Sequence, residues 1–232
     1  MKIVIFSLFL AIAPAFVQAK SSDHETLTSS QWISFDEFQK WQLMPDPPRP
    51  DSIIQQKDMY VMEWMQRTRT PEQVAEARKL EHLVWTNFRD LITSSITDQE
   101  AEAISTLFDS MAGEMAPVIY HFKDLFDRPR PYAVNLDLSP CVSLEHSMSY
   151  PSGHATWGYA AGMLLGDLFP SDQEALLERG KLVGYARVIG GVHYPTDVLS
   201  GERLGEAMAE SIMKTDAWKA WKSKHGYPKN GK

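Results

Sequence analysis

The sequence predicts an all-α fold, and three observations carry that prediction. Apolar residues recur at helical spacing over long stretches. Several of those stretches open on a Ser or Thr followed three residues later by Glu or Gln, the pairing that caps a helix start. Strand signals are almost absent: no sustained alternation occurs, and no Asn-Gly or Asp-Gly pair separates β-branched runs.

Taken in order, Ser34 with Glu37 starts a short helix through Phe35, Phe38 and Trp41. Pro45, Pro47, Pro48 and Pro50 then hold an extended connector, because each ring fixes its own φ and biases the preceding residue away from α. The connector is too short to separate two cores. From Asp51 to Arg67, the residues Ile53, Ile54, Met59, Val61, Met62 and Met65 follow a helical pattern. Thr70-Pro71 restarts a helix with Gln73 at the capping position, and its stripe runs through Val74, Ala77, Leu80, Val84, Trp85, Phe88, Leu91 and Ile92. Thr97 with Glu100 opens the next, carrying Ile104, Leu107, Met111, Met115, Val118 and Ile119.

Ala155 to Leu168 forms a further helix on Trp157, Ala160, Ala161, Leu164, Leu165 and Leu168. Ser171 with Glu174 caps another, through Leu176, Leu177, Leu182, Val183 and Val188. Gly180 and Gly184 lie inside it at a cost of about 1 kcal/mol each relative to alanine, which implies close helix contact at those points. Gly190-Gly191 ends it. A last helix begins near Pro195 and includes Val198, Leu199, Leu204, Ala207, Met208 and Ile212, after which Lys214 to Lys232 is basic, Trp-containing and frayed. The methionines and aromatics on these stripes read as core packing.

Met1 to Ala19 has a lone Lys2, an apolar run from Ile3 to Phe16, and small residues at Val17 and Ala19, the pattern of a cleaved secretory signal. An uncleaved N-terminal anchor is the competing reading. The apolar run is too short for a comfortable span, and no later run reaches the roughly twenty residues that crossing a bilayer needs. Lys20 to Ser30 is polar and reads as disordered or loosely packed. Removing residues 1–19 leaves 22 basic against 30 acidic side chains, a net charge of −8. That balance argues against nucleic acid or an anionic membrane surface as the main partner. The remaining 213 residues suit one domain spanning 20–232. Cys141 is the only cysteine, which excludes an internal disulfide and a zinc site built on cysteines.

Three clusters carry chemistry. Lys123, six residues, then Arg130-Pro131 places a point charge and a planar fork of donors beside two chain-stopping Arg-Pro pairs, and both suit a phosphoryl group. Alone, it also reads as a solvated basic turn paired with Asp124 and Asp127. Pro151-Ser152-Gly153-His154 stands immediately before a helix, where unpaired amides and the positive dipole end favour an anion. Arg187, five residues, His193, three residues, Asp197 lets the carboxylate reach one imidazole nitrogen and leave the other free, an oriented nucleophile. Alone, that cluster also reads as a capping Asp and a satisfied His.

Together and in this order, the clusters resemble the type 2 phosphatidic acid phosphatase (PAP2) superfamily, in particular its secreted bacterial class A non-specific acid phosphatases. The separations suit that signature, with 19 residues between Pro131 and Pro151 and 31 between His154 and Ala186. One position departs from it, since Ala186 stands where the family has a serine. The resemblance implies a helical bundle of the acid phosphatase–vanadium haloperoxidase type, with its catalytic core at about residues 98–213. It implies that Lys123, Arg130, Ser152, Gly153 and Arg187 bind phosphate oxygens, that His193 is the nucleophile, that Asp197 orients it, and that His154 is the general acid and base. The expected substrates are small phosphate monoesters, turned over in the periplasm or outside the cell with no metal or cofactor, and the sequence leaves room for a homo-oligomer. The competing readings are a lipid phosphate or diphosphate phosphatase of the same fold, a vanadium-dependent haloperoxidase, and a phosphate-binding module without turnover. His121 and His146 lie near the clusters and are the candidates for supporting roles.

Overall fold

The computed structural model describes residues 30–38 and 44–229. The proposed leader Met1–Ala19, the polar segment up to residue 29, and Trp41 lie outside them. The described helices are α1 (Phe35–Phe38), α2 (Ile53–Thr68), α3 (Pro71–Lys79), α4 (Asp98–Phe126), α5 (Pro131–Val134), α6 (Gly153–Leu168), α7 (Gln173–Gly190), α8 (Pro195–Lys214) and α9 (Asp216–His225). 3-10 turns at Trp85–Leu91 and Pro170–Asp172 complete the elements, and no strand occurs among the described residues, as predicted. No helix among them is long and apolar enough to cross a membrane.

The Thr70 and Thr97 caps form where the sequence places them. Thr70 and Gln73 exchange both bonds of a capping box, as do Thr97 and Glu100. Ser52 caps α2 by accepting from the Gln55 amide at 3.2 Å, and Ser152 caps α6 by accepting from the Ala155 amide at 3.3 Å. Such caps satisfy amides that would otherwise lack a partner at a helix start. Gly191, with φ of 86°, turns the chain out of α7 in the left-handed region that glycine tolerates best.

Helix α6 is buried along most of its length and packs between α7 and α8. The packing is possible because glycines face backbone at the crossings. A Cβ on Gly180 would stand 2.3 Å from the Gly158 carbonyl oxygen, and one on Gly205 the same distance from that of Thr156. Gly184 meets the Ala155 Cβ in the same way, at 2.8 Å, so both α7 glycines mark close contacts as expected. This grip fixes the N-terminus of α6, the C-terminal end of α7 and the N-terminus of α8 relative to one another. Those three ends carry His154, Arg187 and Asp197.

Three expectations are corrected. The α3 stripe does not continue to Ile92: the helix stops at Lys79, and Trp85–Leu91 is a separate 3-10 turn. The buried Asn87 side chain donates to the His82 carbonyl at 2.7 Å, a local bond that competes with a helical ladder. Ser171 is not the cap of α7. The N-cap residue is Asp172, and its carboxylate instead accepts from the Thr93 amide and hydroxyl at 3.0 and 2.8 Å. Finally, the described part of the segment after Lys214 does not fray: Thr215 caps α9 by accepting from the Trp218 amide at 3.1 Å. Trp218 is fully buried and donates to Asp167 at 2.7 Å, while Trp221 stacks on His225 and Tyr227.

Candidate active site

Helix α4 ends one turn after Lys123, at Asp127 in the left-handed region, and hands the chain to Arg128-Pro-Arg130-Pro. The solvated-turn reading of this stretch fails: Lys123, Arg128 and Arg130 are all buried, and the two arginines extend into the bundle. Asp197 sits at the third position of α8 and reaches back to the Tyr194 amide at 2.8 Å, which places its carboxylate beside the preceding His193.

The His193 and Asp197 side chains are fully buried. His193 Nδ1 lies 3.2 Å from Asp197 Oδ2, and Nε2 lies 2.9 Å from Arg130 Nη1. A carboxylate only accepts, so Nδ1 carries the proton; Nε2 then holds the lone pair and accepts from Arg130. Burial, reinforced by Arg130, Lys123 and Arg187, keeps this imidazole well below its usual range and therefore neutral. Asp197 also accepts from Arg128 Nη1 at 2.5 Å and from the Ser149 hydroxyl at 2.6 Å. Burial lifts its carboxyl to about 6 against the pull of Arg128, leaving it ionised at neutral pH. Arg128 is held in turn by Asp58 and Gln55 of α2, at 2.8 and 2.6 Å, and its guanidinium covers the Tyr194 ring.

On the other side of Arg130 lies a residue that the sequence does not single out. Glu145, on the loop between the first two clusters, receives Arg130 Nη2 at 2.6 Å on one oxygen and Arg187 Nη2 at 2.8 Å on the other. The same carboxylate stands 3.5 Å from His154 Nδ1. Burial opposes its charge, yet Arg130, His154 and Arg187 together hold the carboxyl down at about 2. Both motif arginines and His154 thus converge on one anion, and His193 touches the same Arg130 fork. Arg187 still has Nε and Nη1 buried without a hydrogen-bond partner among the described residues. Two donors therefore face inward unused.

His154 Nε2 lies 3.1 Å from the Glu81 carbonyl, which accepts its proton and leaves Nδ1 turned to the anion. Burial and Arg187 lower this imidazole to about 4. Lys123 donates to the Met148 carbonyl at 2.5 Å, and burial together with Arg130 brings its ammonium down to about 7. Ser152 is fully buried; a hydroxyl that caps as acceptor keeps its own O–H to donate. Gly153 begins α6, and its N–H is one of those with no partner inside the helix.

Of the two supporting candidates, His121 packs edge-on against Phe35 and Phe122 and plays a packing role. His146 lines the cleft above Glu145 together with Glu81, His82 and Tyr120, a space of about 770 Å³. Ala186 is buried in the core and presents no hydroxyl to the cleft. Glu145 and Arg128 were beyond motif reading: nothing in spacing separates Glu145 from 29 other acidic residues, and Arg128 resembles a second Arg-Pro turn. The one usable signal for Glu145 is its place on the segment that joins the Arg130 cluster to the His154 cluster.

Fold and site together define a helical bundle with a buried, cation-lined anion site flanked by two imidazoles. The PAP2 superfamily profile matches residues 103–221, and the chain belongs to that superfamily. It is 31% identical over 204 residues to a non-specific acid phosphatase of Providencia stuartii, covering 83% of this chain and 79% of that one. An acid phosphatase of Zymomonas mobilis is 34% identical over 84 residues, 34% of this chain and 31% of the relative. Among solved structures, a transmembrane PAP2-type phosphatidylglycerolphosphate phosphatase from Bacillus subtilis superposes with a TM-score of 0.50 at 22% identity, over 75% of this chain and 89% of that one. A bacterial vanadium-dependent iodoperoxidase superposes with a TM-score of 0.61 at 16% identity, over 78% and 53%. These two likenesses concern the fold.

Proposed function

We propose that the protein is an acid phosphatase that hydrolyses phosphate monoesters through a phosphohistidine, without a metal ion, after export from the cytoplasm. The observation that carries this reading is the convergence of Arg130, Arg187 and His154 on one carboxylate, beside a neutral His193 whose Nδ1 is held by Asp197. The Glu145 carboxylate stands where a phosphoryl group would sit. Once it is displaced, Arg130 and Arg187 meet the equatorial oxygens, with the unused Arg187 donors, the Ser152 hydroxyl and the Gly153 amide completing the cradle.

His193 Nε2 attacks phosphorus while the ester P–O bond breaks, and its electron pair leaves with the alkoxide. His154 Nδ1 gives that alkoxide its proton. Water then attacks the phosphohistidine, passing a proton to His154, and the P–N electron pair returns to Nε2. Asp197 holds the Nδ1 proton throughout and balances the charge that develops on the ring. Fixed guanidinium groups meet the phosphoryl charge that a metal would otherwise meet. The test is turnover of p-nitrophenyl phosphate by the purified protein in millimolar EDTA, with alkaline quenching to trap the phosphohistidine. Absence of turnover, or dependence on added divalent metal, would refute the reading. N-terminal sequencing of the protein from a periplasmic fraction tests export, a start at Lys20 being expected.

The site sets the pH dependence. His154, lowered to about 4, must be protonated to donate, whereas Asp197, lifted to about 6, must be ionised to hold His193, so kcat/KM passes through a maximum between those values and falls on both sides. A further fall on the alkaline side follows near 7, where Lys123 loses its charge. A bound phosphoryl dianion stabilises the His154 and Lys123 cations, so the alkaline fall in kcat lies at higher pH than that in kcat/KM. Rate profiles from pH 3 to 9 measure both, and a flat profile refutes the assignment.

Glu145 competes with phosphate for the same donors. Glu145→Gln removes the competing charge and is expected to tighten inhibition by inorganic phosphate about tenfold, the equivalent of roughly 1.4 kcal/mol. An inhibition constant equal to or weaker than that of the unmodified protein would show that the carboxylate assists binding instead.

A further inference from the structure

In-line displacement fixes where the departing group must lie. With His193 attacking from one side, the leaving oxygen points to the opposite side, where His154 Nδ1 can protonate it. The body of the alcohol therefore extends over the His154 side of the site. There the structure holds a cavity of about 160 Å³, walled by Leu83, Ala112, Met115, Ala116, Ile119 and Trp157. It opens beside Lys123, Gly153 and His154, and it shares Tyr120, Glu145 and Ser147 with the cleft already described.

Its shape follows from the sequence. Ala112, Ala116, Ile119 and Lys123 recur at helical spacing along one face of α4, so the same face that delivers the ammonium to the anion site also presents two small side chains beneath it. The short alanines leave room between α4 and the buried Trp157 of α6. The loop after α3 supplies Leu83 as the remaining wall, which is possible because the helix stops at Lys79. Apart from the groups at its mouth, the lining is apolar. A cavity of roughly 150 Å³ with such walls holds one benzene ring. A hydroxylated alcohol would lose its water there and find no partner.

We infer that this cavity is the leaving-group subsite and that it takes an aromatic ring, making compact aryl-bearing phosphate monoesters the preferred substrate class. The inference rests on the phosphomonoesterase reading above. Phenols are intrinsically better leaving groups than alcohols, so the comparison must hold basicity nearly constant. Benzyl phosphate and glycerol 2-phosphate do so, since both release an alkoxide.

The purified protein is expected to show a kcat/KM for benzyl phosphate about tenfold or more above that for glycerol 2-phosphate, the discrimination a small apolar pocket supplies. Ala116→Leu and Ala112→Leu each add three carbons to the cavity, and each is expected to lower that ratio about tenfold. Leucine is a strong helix former, and thermal unfolding of each variant identifies the folded ones; either variant alone suffices. A ratio near one in the unmodified protein, or a ratio unchanged in a folded leucine variant, overturns the subsite while leaving the phosphatase intact. Failure of the unmodified protein to hydrolyse either ester overturns both.

Discussion

Replacing His193 by alanine is expected to lower kcat by about 10⁴-fold or more, because in the proposed reaction this residue forms the covalent bond that divides it into two steps. The protein should still fold, since the imidazole is neutral and its loss strands no buried charge. Its neighbours keep other partners: Arg130 retains the Val192 carbonyl at 3.0 Å and Glu145, and Asp197 retains Arg128 and Ser149. Steady-state turnover, circular dichroism and alkaline-quench trapping form the test. Turnover near that of the unmodified protein, or a phosphohistidine still present in His193→Ala, would remove His193 from the nucleophile's role.

Asp197→Asn is expected to act on both rate and stability. Four donors aim at this carboxylate: Arg128 Nη1, the Ser149 hydroxyl, the Tyr194 amide and His193 Nδ1. An asparagine must turn its NH₂ towards some of them, whichever way the amide is set. If it faces His193, the imidazole loses the acceptor that fixes its tautomer, and kcat falls about 10³- to 10⁴-fold. Loss of the charge also leaves Arg128 buried against Asp58 alone, and breaking a buried pair in this way costs about 3 kcal/mol. Urea unfolding and kcat on the same sample measure both effects. A variant within tenfold of normal activity and unchanged in its unfolding midpoint would show that Asp197 neither orients His193 nor balances Arg128.

The two variants separate local from long-range information. The His193–Asp197 contact was legible because four residues across a helix start bring the side chains together whatever surrounds them. The Thr70 and Thr97 caps and the Gly180 and Gly184 contacts were legible for the same reason: each is set by helix geometry and residue size. The Thr70 stripe misled because periodicity alone does not register the Asn87 side chain taking the His82 carbonyl. The break that follows brings the Glu81 carbonyl to His154 and so decides which of its nitrogens faces the anion.

The amino-acid order by itself determined the helical class, the close helix contacts and the three clusters, because caps, stripes and i to i+4 pairs depend on neighbours within two turns. Only the tertiary structure decided that Glu145 lies between Arg130 and Arg187, that Asp58 of α2 supports Arg128 under Asp197, and that two alanines of α4 face Trp157 across a cavity. Each of these joins segments distant in the chain. Their meeting is fixed by how glycine-lined helices pack and by which charges can share burial, quantities that a local pattern does not contain.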